Sequence, residues 1–144
     1  MELVLSGWIR RDRDGELGIS YKRRSENTSD VRSFSGMIAD KFGCEIFDDI
    51  GLGVRQTIIQ NANLRCWFSD KECTLEEAQK SFESYLYTGN LLTSGHYIGY
   101  SEWTITGFDL DSFVLGGHDL KKELENHLGQ YVHFILMDEL EELW

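Results

Sequence analysis

Asp109, Asp111, His118 and Asp119 fall within eleven residues of one another, and His127 and His133 follow closely. Carboxylate oxygens and imidazole nitrogens in a loop ahead of a helix are the ligand types that hold divalent metals. A hydrolase or nuclease built on Asp109, Asp111 and His118 is therefore one reading of this stretch. The spacing argues against it, since neither H-x-x-x-H nor H-E-x-x-H occurs. Asp119 also has a sufficient task as a helix cap, and His118 follows two glycines in what reads as a turn. His133 stands in an apolar run, where a histidine must find partners or remain neutral. The expectation is a satisfied core histidine, with no bound metal and no cofactor.

Other reaction signatures are missing from the sequence. There is no G-x-S-x-G, no Walker lysine, no G-x-G-x-x-G after a strand and no kinase set. Cys44, Cys66 and Cys73 are odd in number and show no C-x-x-C spacing, so they read as reduced thiols, which suits a cytoplasmic protein. No apolar run approaches the roughly 18 to 20 residues that span a bilayer, and the N-terminus carries no signal-peptide core. A membrane association is not expected.

The elements that position these residues centre on Tyr100 to Met137. Gly116-Gly117 permits a sharp turn, Asp119 can cap a helix, and Leu120, Leu124 and Leu128 recur at helical spacing over 119–128. Gly129 ends that helix. Tyr131 to Met137 is apolar on both alternating faces apart from His133, which predicts a central buried strand.

Upstream, Leu3 to Ile9 and Leu17 to Tyr21 alternate around Asp14-Gly15 and predict a β-hairpin. Phe34, Met37, Ile38 and Phe42 predict a short helix over 31–42. Asp48 to Gly53 reads as a loop. Val54 to Gln60 and Leu64 to Ser69 read as a second hairpin turning at 61–63, with Trp67 exposed beside Arg65. Thr74 and Glu77 match a capping box for a helix running to Tyr87. Residues 90–99 read as a connection, 103–106 as a strand, and 108–115 as a strand or extended return.

The chain has 144 residues and fits one domain, 1–144, of the α+β class. The predicted architecture is a mostly antiparallel sheet of five to seven strands with two or three helices on one face. The helix at 119–128 allows one parallel crossover.

Charge carries the functional expectation. The net charge is −11, and it is lopsided: residues 1–41 hold eight bases and seven acids, residues 42–144 six bases and eighteen acids. Bare nucleic acid is a poor partner for such a surface, whereas a basic protein would be steered toward it. An acidic chain with exposed aromatics and no reaction machinery resembles the immunity proteins that neutralise bacterial toxins, including those of contact-dependent inhibition systems. The resemblance lies in whole-chain character and implies an inhibitor that occupies a basic, nuclease-type toxin's active site or a surface beside it. The candidate contacts are Asp48, Asp49, Asp109 and Asp111 from loops, Trp67, and Glu139, Glu141, Glu142 and Trp144 from the tail. A phage or bacterial accessory protein that self-associates through that tail is a further reading.

Overall fold

Val132, Phe134 and Leu136 are fully buried in the core, and the strand that carries them has a neighbour on each edge. This strand, β9 (Tyr131–Asp138), pairs antiparallel with β1 (Glu2–Arg11) on one side, Ser6 opposite His133. On the other side it pairs antiparallel with β5 (Leu52–Ser69), Cys66 opposite Phe134. The central strand expected from its two-faced apolar run is thus where the sequence puts it. The computed structural model describes residues 1–11, 17–22, 31–49, 52–98 and 107–138.

The class is α+β, with three helices and one antiparallel sheet among the described residues. Around β9 the sheet is completed by β2 (Leu17–Ser20), β3 (Arg32–Ser33), β4 (Glu45–Asp49), β6 (Tyr85–Ile98), β7 (Gly107–Leu115) and β8 (His118–Asp119). The path runs β3-β2-β1-β9-β5-β6-β7-β8, with β4 beside the early part of β5. That is nine strands, more than the five to seven expected, and no pair among them is parallel.

The additional strands are β3, β4 and β8, and two misreadings offset each other in the count. The expected second hairpin is one continuous strand: Asn61 adopts φ +56° and shifts the register between Ile59 and Ala62, so the chain bulges instead of reversing. The capping box at Thr74 is real, its hydroxyl accepting from the Glu77 N–H at 3.2 Å, yet the helix it opens, α2 (Leu75–Ser81), stops short of Tyr87. Phe82 is already extended, and Tyr85 onward pairs with β5 as β6. Helical spacing of apolar residues across 75–86 concealed a switch to strand. Long-range pairing overrode the local pattern. The same strand takes in most of the supposed connection at 90–99, while residues 103–106 lie outside the described residues.

The two strands of the first hairpin pair antiparallel as expected, Trp8 opposite Ser20 and Arg11 opposite Leu17, and the connecting residues 12–16 lie outside the described residues. Helix α1 (Phe34–Phe42) and helix α3 (Leu120–Asn126) pack on the same side as Phe134. Phe34, Phe113 and Phe134 meet there with ring centroids 5.7 to 6.3 Å apart. Strand β3 touches β7 although the two are far apart in the sheet order, so the sheet curls around α1. Helix α2 (Leu75–Ser81) lies over the opposite face, where its Gln79 shares a cleft with Asn63, Arg65 and Trp67 of β5. There Trp67 is 5% exposed, contrary to the exposed position expected. No helix among the described residues is long and apolar enough to cross a membrane.

Candidate functional site

Strand alternation places Tyr85 and Tyr87 of β6 on one face, opposite Cys66 and Leu64 of β5. Phe68, two residues beyond Cys66, belongs to that face too. At this end of the curled sheet the core runs out, and aromatic side chains emerge from it. His127, the C-cap of α3, lies flat on Phe68 with ring centroids 3.7 Å apart and planes inclined by 7°. Tyr85 meets both edge-on, at 5.5 Å from Phe68 and 5.9 Å from His127. Tyr87 meets His118 of β8 at 5.2 Å. Five rings from β5, β6, β8 and the end of α3 thus form one stripe. Tyr85 is 47% exposed, and Leu128 beside His127 is 45% exposed. Leu128 was expected to continue the buried helical stripe, but α3 ends at Asn126.

Hydrogen bonds hold the stripe in register. The Gln130 side-chain amide donates to Asp70 Oδ1 at 2.9 Å, which turns its carbonyl oxygen toward His127 Nδ1 at 2.6 Å. That oxygen can only accept, so His127 carries a proton on Nδ1. Acids flank the rings: Asp70 closes this chain of bonds, and Glu123 lies near Tyr87. Burial, reinforced by Glu123, pushes the Tyr87 phenol above its usual range, so it stays protonated as a donor. Aromatic faces bordered by carboxylates suit an arginine or lysine side chain, which gains from the ring quadrupoles and the charges together.

The acids proposed from sequence lie elsewhere. Asp48 and Asp49 are in β4, opposite Gly53 and Leu52, and Asp109 and Asp111 are in β7. All four were expected as loop contacts, although 108–115 also read as a strand or extended return, and β7 bears out the strand. Ile46 and Phe47 favour a strand, and pairing with β5 carries the two aspartates along. The backbone register nevertheless gathers the four at one end of the sheet. Phe47, Val54, His96 and Asp109 form one row across four strands, a span of roughly 14 Å, and Asp111 falls where the β6–β7 register shifts. This acidic end and the aromatic stripe occupy opposite ends of β5. Glu139, Glu141, Glu142 and Trp144 lie outside the described residues.

The metal-dependent reading loses its geometry. His118 is opposite Leu115, six residues along β7 from Asp109, or roughly 20 Å of strand. Ligands to one ion must converge within bonding distance of it, and these backbones cannot bring them there. Asp119 serves as the cap, accepting from the Lys122 N–H at 3.3 Å. Among the described residues, no group of three or more His, Cys, Asp or Glu is placed to hold a metal ion.

One pairing had no sequence signal, because its members are sixty residues apart. His133 Nε2 lies 2.8 Å from the Cys73 carbonyl and 3.7 Å from Cys73 Sγ, and its Nδ1 is 2.7 Å from Ser6 Oγ. A carbonyl only accepts, so Nε2 bears the proton and, in the neutral ring, Nδ1 accepts from the Ser6 hydroxyl. Nε2 is thereby unable to act as a base toward the thiol. Burial, with Glu77 and Glu72 adding to it against a hydrogen bond from Ser69, raises the Cys73 thiol above its ordinary value. Cys73 and His133 are a structural pair, not an activated nucleophile. Burial pushes the Cys66 thiol up much further. Cys44 is exposed, so a maleimide reagent should label Cys44 first, Cys73 more slowly and Cys66 only on unfolding. Mass spectrometry of the partly labelled protein checks that order, and early labelling at Cys66 would contradict the β5 assignment.

Comparison of the chain with known protein families, characterised proteins and solved structures finds no match to any of them.

Proposed function

We propose that this chain is an acidic protein-binding module, and that it acts as an immunity protein against a basic, nuclease-type toxin. The observation that carries the reading is the aromatic stripe of Phe68, Tyr85, Tyr87, His118 and His127 with Asp70 and Glu123 at its margins. It belongs to the part of the chain, 42–144, whose net charge is −12. Tyrosines set in a half-buried apolar surround are the residue type that dominates interface energetics. The acidic end of the sheet steers a basic partner inward, and the stripe then takes its arginine or lysine side chains.

The test starts from the neighbouring gene: if it encodes a basic cytotoxic domain, that domain is co-expressed with this chain and the binding kinetics are measured at two salt concentrations. Protection of the cells and an association rate that falls with added salt are expected. Tyr85→Ala should weaken the complex by about 2 kcal/mol, or about thirty-fold, with the circular dichroism unchanged. Binding insensitive both to salt and to this substitution would exclude the stripe as the contact surface. Unprotected cells would end the immunity reading for that pair.

A further inference from the structure

We propose that β1 presents an open strand edge on which a second copy of this chain docks, β1 against β1, to make a two-fold dimer. β1 is ten residues long and β2 only four, so β2 covers β1 from Trp8 to Arg11 and stops. Beyond Ser20 the pairing ends: Tyr21 stands at the cleft beside β1, and the Lys22 carbonyl accepts from Arg10 at 3.1 Å. Where the rest of β2 would run there is instead a cleft of about 510 Å³, between Leu3 to Ser6 of β1 and Met37, Asp40 and Lys41 of α1.

The backbone facing that cleft can be identified from the register. The Ile9 N–H donates to the Gln130 carbonyl at 2.9 Å, and the Asp138 N–H to the Met1 carbonyl at 3.1 Å. The β1–β9 register is unbroken from Glu2 to Trp8. Odd positions of β1 therefore spend their backbone groups on β9, and Glu2, Val4 and Ser6 turn theirs toward the cleft. No described strand pairs with them there.

The edge carries little that blunts an edge. From Glu2 to Gly7 it has no proline, no lysine and no bulge, its one charge is Glu2 at the end, and Val4 is 48% exposed. A second β1 fits it by symmetry. With Val4 opposite Val4 of the other copy, Glu2 falls opposite Ser6 twice, and every inward-facing N–H and C=O finds a partner, about six bonds in all. No like charges meet in that register. Electrostatics selects the same place. The cleft is lined by Arg32, Asp40 and Lys41, and residues 1–41 are close to neutral while the remainder is strongly acidic. Two copies repel least where this edge faces its twin.

Sedimentation equilibrium of the full chain over a dilution series tests the proposal, alongside amide hydrogen exchange. The expected mass is twice the 16.7 kDa of one chain at the concentrated end, falling to one on dilution. Val4→Lys sets two ammonium groups at the symmetry axis and should halve the mass at the concentrated end. Val4 is 48% exposed and turns its N–H and C=O away from β9, so at the dilute end, where both proteins are single chains, the unfolding midpoint should stay unchanged; Val4→Thr should keep the dimer. In the wild type, the amides of Glu2, Val4 and Ser6 should exchange more slowly as concentration rises. A single-chain mass at every concentration, a dimer that survives Val4→Lys, or protection of those amides independent of concentration would each overturn it.

Discussion

Replacing Phe134 by alanine should destabilise the protein by about 3 to 5 kcal/mol. Phe134 is wholly buried, and its ring sits between Phe34 of α1 at 5.7 Å and Phe113 of β7 at 6.2 Å. It therefore joins the helix, the central strand and the far part of the sheet in a single contact. Removing it deletes a transfer contribution and leaves a cavity that three separate elements must move to fill. A loss of that size is a large share of the about 5 to 15 kcal/mol by which domains are stable. Urea titration should show a lowered midpoint with little change in slope. Ile135, the next residue along, is only half-buried on the opposite face, and its alanine variant should lose distinctly less. If Ile135→Ala cost more than Phe134→Ala, the assignment of core and outer faces on β9 would be reversed.

His133→Phe should cost about 2 to 3 kcal/mol, although the ring is kept and the substitution is more apolar. The reason is what it abandons. The Cys73 carbonyl loses the Nε2–H that reaches it at 2.8 Å, and the Ser6 hydroxyl loses its acceptor at 2.7 Å. With His133 itself 4% exposed, water reaches these groups poorly, and an unpaired buried polar group costs roughly 1 to 3 kcal/mol. A double-mutant cycle with Ser6→Ala isolates one of the two bonds. The coupling should amount to about 1 kcal/mol, because Ser6→Ala in the phenylalanine background removes a hydroxyl that is already unpaired. Coupling indistinguishable from zero would mean that Ser6 and His133 are not bonded in solution. The pair also anchors the segment leading into α2, so the His133 variant should expose Cys73 to alkylation faster than the parent.

Elements whose burial is two-sided or whose capping chemistry is local were legible in the sequence. The central strand 131–137 showed itself through an apolar run broken only by His133, and the strands of the first hairpin through period-two alternation, while its expected Asp14-Gly15 turn lies outside the described residues. The caps at Thr74 and Asp119 followed from hydroxyl or carboxylate chemistry at helix starts. The failures share a cause. Asn61 as a bulge and Asn61 as a hairpin turn look alike locally, because both use a positive φ that asparagine tolerates. Which one forms depends on β9, which pairs with β5 from Ala62 onward and keeps it running straight. Likewise Tyr85 to Tyr87 fit either a helix end or a strand start, and the free edge of β5 decided it.

The candidate site divides in the same way. Composition alone established that the chain is acidic, that the acidity belongs to residues 42–144, and that no familiar catalytic motif is present. It also identified the residue types able to serve as partner contacts, but not their neighbours. Trp67 alternates like an exposed residue, and only the presence of α2 over that face of β5 buries it. Phe68, Tyr85 and His127 come from β5, β6 and the end of α3, and nothing in their spacing foretells a stacked pair at 3.7 Å. Residue type and periodicity are properties of a single segment, so the sequence could specify which faces are apolar, where helices begin and where charge accumulates. Register between distant strands, the curl of the sheet around α1 and the rings left at its open end arise from pairings sixty or more residues apart, such as that of β5 with β9. Those are set by which edges remain free once the core has closed, and only the tertiary structure decides them.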